Sequence, residues 1–104
     1  MDFNHVPVLY EECLDNLNIR TDGIYVDGTV GGGGHAFGIG SRLGEDGMLI
    51  GIDRDDDALA AAGQRLAGLK CRCELVKRTY AEIKDVLRDL DIGGIDGALL
   101  DIGV

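Results

Sequence analysis

Basic residues are scarce: ten Lys and Arg stand against nineteen Asp and Glu, a formal charge of -9 over 104 residues. That sign disfavours nucleic-acid binding by this segment alone, because a grip on a phosphate backbone rests on many Lys and Arg contacts. Long hydrophobic runs are lacking too. The longest apolar stretches fall far short of the roughly 20 residues needed to cross a bilayer, so no membrane span is expected. The start, Met1-Asp2-Phe3-Asn4-His5, has neither a basic segment nor an apolar stretch behind it, which predicts no signal peptide and a cytoplasmic location. Cysteine is sparse and odd in number, three in all, which argues against a secreted disulfide framework. Cys71 and Cys73 fall two apart in a predicted strand and so share a face. They read as small hydrophobes, with too few ligands nearby for a metal site.

Glycine is what the chain has in excess: 17 of 104 residues, more than twice the usual share of roughly 7%. With 45% hydrophobic residues the chain fits one ordinary domain, large enough to bury a core without disulfides or a structural metal. Leu9, Cys13, Leu14 and Leu17 form a helical stripe that predicts a leading helix over 6–17, with Pro7 in its first turn. Ile24 to Asp27 reads as a strand covered on both faces, and the glycine run after it leads into a helix through about Leu43, which Gly38 and Gly40 weaken. Met48 to Asp53 is the second strand; Asp55 is the cap candidate of the next helix, whose inward stripe is Leu59, Ala62 and Leu66 and whose stop is Gly68. A third strand runs from about Arg72 to Val76. Thr79-Tyr80-Ala81-Glu82 reads as a capping box for a helix carrying Ile83, Val86, Leu87 and Leu90. Gly93-Gly94 breaks that helix, and Ile95 to Ile102 makes a fourth strand. Strands alternating with helices over short links predict an α/β fold, an open doubly wound parallel sheet in the order 3-2-1-4.

Strands one, two and four each end in a carboxylate, Asp27, Asp53 and Asp101, and in such a sheet ligands sit beyond the carboxyl ends where strand order reverses. The loop Gly31 to Gly34 lets a ligand approach bare backbone. Gly31-x-Gly33-x-x-Ala36 satisfies the relaxed dinucleotide fingerprint, and Asp53 follows the glycines by the roughly 20 residues expected of a ribose-binding acid. Tyr80 is placed near the same edge, either to stack on adenine or as ordinary packing, and His35 either donates to a ligand carboxylate or only opens the helix. Two cofactors fit. A dinucleotide brings a pyrophosphate and S-adenosylmethionine a sulfonium cation; the surrounding carboxylates favour the cation.

Asp27-Gly28-Thr29-Val30-Gly31-Gly32-Gly33-Gly34-His35, preceded by Asn18 to Val26, closely resembles the small-subunit (16S) ribosomal RNA cytosine-N4 methyltransferase family. His5-Val6-Pro7-Val8-Leu9, Ile52-Asp53-Arg54-Asp55 and Ile95 to Val104 match as well, so the likeness spans essentially the whole chain. The resemblance implies a partial Rossmann-like class I methyltransferase fold and an S-adenosylmethionine-binding half-domain over 1–104. It also implies cofactor contacts at Gly33, Gly34, His35, Asp53, Tyr80 and Asp101, where Phe is commoner than Tyr at position 80. The family methylates the exocyclic amine of a cytosine in small-subunit ribosomal RNA. Its members continue beyond the final Gly-Val with further strands and a helical insertion resembling an RNA-binding element. The expectation is therefore a cofactor-binding fragment, inactive alone, whose fourth strand offers an edge to a second copy of the chain. The alternatives are an active methyltransferase, stand-alone or dimeric, and an NAD-binding oxidoreductase fragment.

Overall fold

The computed structural model describes residues 19–28, 30–31 and 34–99; the predicted leading helix over 6–17 lies outside the described residues, as do Gly33 and Asp101. Two short apolar runs build the centre of the fold. Ile24–Asp27 is strand β1 and Met48–Asp53 is strand β2, with the bounds expected of them. Met48 to Ile52 are all buried, as a strand covered on both faces requires. Arg72–Lys77 forms β3 and Gly97–Leu99 forms β4, which starts two residues later than the expected Ile95; its expected end at Ile102 lies outside the described residues. Every pairing is parallel and the order is β3-β2-β1-β4, the predicted topology. β4 lies at one edge, paired among the described residues with β1 alone. Asp96 starts that pairing: its carboxylate accepts the Ile24 N–H at 2.8 Å, and its own N–H donates to the Ile24 carbonyl at 2.8 Å.

Gly34–Ser41 forms α1, Asp56–Leu66 forms α2, and Ile83–Asp89 forms α3, entered through a 3-10 turn at Tyr80–Glu82. Alternation along the strands sends Tyr25 and Leu49 to one face and Val26 and Ile50 to the other. The first pair joins Ile39 of α1 with Ala62 and Leu66 of α2 in one apolar cluster; the second joins Met48, Ile52 and Val86 of α3 in another. Helices on both faces make the sheet doubly wound. Gly40, predicted to weaken α1, has a packing use. A Cβ there would run into a Leu69 methyl and crowd Leu49, so its absence lets the helix lie close on β2.

Helix ends are where the structure departs from expectation. α1 stops at Ser41 rather than Leu43, and the Arg42 and Leu43 N–H groups donate to Ile39 and Gly40 at 3.0 Å each, a tightened exit turn. Asp55 caps α2 as expected, accepting the Ala58 N–H at 3.3 Å. Gly68 does not end that helix. The cap is Ala67, still right-handed at φ -62°, and Gly68 does not enter the left-handed region. Nor do Gly93 and Gly94 break α3; Asp91 does so earlier, at φ 60°, with the Ile92 N–H donating to the Leu87 carbonyl at 2.8 Å. That is a Schellman-type exit with an aspartate where glycine is usual. Half of the expected capping box forms. Glu82 accepts the Thr79 N–H at 2.9 Å, while the Thr79 hydroxyl donates to the same carboxylate at 3.2 Å. Cys71 and Cys73 are free thiols on one face with Sγ atoms 3.8 Å apart, and burial beside Cys71 pushes the Cys73 thiol up to about 12. Both behave as the small hydrophobes expected.

Candidate functional site

β1 ends opposite Gly51, while β2 continues past it to Asp53. The chain leaving β1 keeps alongside this overhang: the Val30 N–H donates to the Ile52 carbonyl at 2.9 Å. Val30 is 3% exposed and belongs to the apolar cluster under α1 and α2. Gly51 makes room for it, since a Cβ there would stand 3.1 Å from Val30 Cγ2 and 2.7 Å from Leu75 Cδ2. The loop is therefore fastened to the sheet by one buried valine before its glycines begin.

Gly31 follows in the left-handed region, φ 54°, a conformation glycine adopts without the steric cost other residues meet. Its N–H donates to Asp53 Oδ2 at 2.9 Å, and the Asp55 N–H donates to Asp53 Oδ1 at 3.0 Å. Partial burial by itself pushes the Asp53 carboxyl upward. The backbone N–H groups of Asp55, Gly31 and Arg54, with the Arg54 guanidinium, outweigh this and hold it below the usual carboxylate range. Asp53 is thus a fixed anion at the tip of β2, aimed at the glycine turn. A carboxylate offers about four lone-pair sites, so these backbone donors still leave acceptor capacity for a hydroxyl of a ligand.

The other predicted residues divide. Gly34 and His35 open α1, both half-buried, directly beyond the turn. Lys77 pairs with Asp53 at the end of β3, and the Arg78 N–H donates to the Asp53 carbonyl at 3.0 Å. The backbone of Tyr80 therefore leaves the sheet beside Asp53; its side chain is outside the description. Asp27, expected at the crevice mouth, is 2% exposed. It ends β1 opposite Gly51, two residues short of Asp53 in register. Asp101 and Gly33 lie outside the described residues. Sequence reasoning missed Val30 and Gly51. The available signal was a glycine in the middle of a strand, which marks close approach by another part of the chain.

No group of three metal-ligating side chains occurs among the described residues, and no described helix is long and apolar enough to cross a membrane. A cleft of about 420 Å³ lined by Lys84, Leu87, Arg88, Asp91, Ile92 and Gly93 lies at the far end of α3. A crossover helix returns the chain to the amino ends of the strands, so that cleft is on the opposite edge from Asp53.

Comparison with known proteins gives the family. The chain is 53% identical over all 104 residues to a ribosomal RNA small subunit methyltransferase H 2 of Agathobacter rectalis, and 54% identical to a ribosomal RNA small subunit methyltransferase H of Lachnospira eligens. It spans 33% of the length of each. Among solved structures, a putative rRNA-methylase from Clostridium thermocellum superposes with a TM-score of 0.68 at 25% identity, over 72% of this chain and 42% of that one. An S-adenosylmethionine-dependent O-methyltransferase from Thermotoga maritima reaches a TM-score of 0.74 over 92% of this chain and 35% of that one; at 19% identity it speaks for the fold alone. The MraW methylase family matches residues 2–104. The chain therefore belongs to the MraW methylase family.

Proposed function

We propose that this chain is the S-adenosylmethionine-binding portion of a methyltransferase acting on small-subunit ribosomal RNA, with the exocyclic amine of a cytosine as methyl acceptor. The observation that carries the reading is the Gly31 N–H held on the Asp53 carboxylate at 2.9 Å. It fixes a carboxylate beside the first donor of the glycine turn, an acceptor for the ribose hydroxyls of an adenosine cofactor, and the family match favours S-adenosylmethionine over NAD. The names of the relatives, ribosomal RNA small subunit methyltransferases, support the RNA substrate.

Bound there, S-adenosylmethionine supplies a methyl group on an already activated sulfonium. What remains for the protein is alignment and electrostatics. In this reading Asp53 accepts the ribose hydroxyls, Gly33, Gly34 and His35 line the methionine side through bare backbone and the first turn of α1, Tyr80 stands by the adenine, and Asp101 completes the contact from the fourth strand. A formal charge of -9 leaves this portion ill-suited to hold RNA, so we assign it cofactor binding without methyl transfer when alone.

Thermal melting with S-adenosylmethionine, S-adenosylhomocysteine or NAD at equal concentration tests this. Ligand at a hundredfold its dissociation constant adds about 2.7 kcal/mol, and each kcal/mol raises the midpoint of a domain this size by roughly 4 to 8 °C. A rise with both adenosyl compounds and none with NAD is expected; no rise with either adenosyl compound overturns the assignment. Transfer of a labelled methyl to ribosomal RNA by this chain alone would overturn its inactivity.

A further inference from the structure

Gly51 shares a face of β2 with Leu49 and Asp53 and stands opposite Asp27 in β1. An added Cβ would approach Leu75 Cδ2 to 2.7 Å and Val30 Cγ2 to 3.1 Å. These neighbours differ in how they can yield. The Leu75 methyl is the free end of a flexible, half-buried side chain and swings aside. Val30 is stiff at χ1, 3% exposed, and tied through its N–H to the Ile52 carbonyl at 2.9 Å. Val30 must therefore lift as a unit, and Gly31 is the next residue.

We propose that Gly51 is a positioning residue of the cofactor site: by leaving space for Val30, it seats the glycine turn at the height where the Gly31 N–H meets the Asp53 carboxylate. The inference rests on the reading of that site as the adenosyl site. It assigns the mid-strand glycine a role in affinity through backbone placement, with no contact to the ligand itself.

The test is a two-by-two set of the chain as it stands, Gly51→Ala, Val30→Ala and the double variant. Affinity for S-adenosylhomocysteine is measured by calorimetry, folding by circular dichroism, and the Asp53 carboxyl titration by NMR. Gly51→Ala weakens binding about fivefold, the fold-change of one ordinary hydrogen bond, with a cooperative melt retained. Val30→Ala loosens the same turn and weakens binding in the same sense, while in the double variant the alanine methyl occupies the space vacated by valine and affinity returns towards the parent's. Such non-additivity is the mark of two groups sharing one space. Unchanged affinity in Gly51→Ala, or a double variant that binds worse than both single ones, overturns the proposal. Should Gly51→Ala fail to fold, Val30→Ala decides: parent-like affinity there overturns it. Should the parent bind neither adenosyl compound, the cofactor reading fails separately. The positioning is then judged by Asp53, whose titration moves upward in Gly51→Ala and back in the double variant; an unmoved titration overturns it.

Discussion

Asp53 gains its character from three backbone amides and one arginine rather than from burial, which alone would favour the neutral acid. Its carboxyl is held below the ordinary value of about 3.9, so the stability it contributes is fully present above that value and is lost as pH falls through the lower, folded one. Affinity for S-adenosylhomocysteine should accordingly stay level from neutral pH down to about pH 5 and decline only below the ordinary Asp range. The Asp53→Asn variant should bind about tenfold more weakly, the loss of a charge-assisted acceptor, and without that acid limb. Calorimetry at descending pH, with circular dichroism to confirm the fold, checks both; a parent affinity falling already between pH 7 and 5 would contradict the assignment of Asp53. At this scale much was legible in the sequence. An aspartate ending an apolar strand at that spacing from a glycine run stands out as a candidate by position alone. The Gly31 bond was not legible, because it joins residues 22 apart through a conformation that only the assembled loop enforces.

Among the elements, the bounds of β1, β2 and β3 followed their sequence patterns, β4 starts at Gly97 rather than Ile95, and helix exits departed from theirs. An apolar run between polar turns leaves a buried strand little freedom, whereas a helix can stop wherever packing satisfies its last carbonyls. Asp91 shows the difference. Gly93 and Gly94 were available as stops, yet α3 turns out at Asp91, φ 60°, two residues after its last helical position at Asp89. Holding a non-glycine residue there costs about 1–2 kcal/mol, while glycine adds roughly 0.5–1 kcal/mol of chain entropy to be lost on folding. The balance favours glycine, so Asp91→Gly should raise the melting midpoint by a few degrees, within the roughly 4 to 8 °C that 1 kcal/mol brings. A lowered midpoint would mean that the exposed Asp91 side chain contributes more than its backbone strain costs. The opposite sign is expected at the other end of a helix: Asp55→Ala removes the acceptor of the Ala58 N–H and should cost about 1 kcal/mol, read as a lower midpoint in the same melts.

For the molecule as a whole, the parallel sheet places Gly31, Gly34, His35 and Asp53 on one edge, since each crossover helix carries the chain back to the amino end before the next strand begins. The order β3-β2-β1-β4 also leaves β4 paired on one side among the described residues, and an unpaired strand edge is a template for association. Sedimentation of this chain across a range of concentration should show a growing dimer or larger species; a strict monomer at the highest concentration would remove that expectation.

The fold class, the strand order and the positions of Asp53 and Gly31 were all determined by the sequence alone. Each depends on local periodicity, spacing and the handedness of crossovers. The tertiary structure alone decided how the site is held in place. Val30 could be seen to rest on Gly51, Gly31 to bond Asp53, and Asp27 to be buried only once β2 was set beside β1 with its last residues overhanging. Contacts of that kind depend on register between distant strands, and register is a property of the packed sheet rather than of any segment within it.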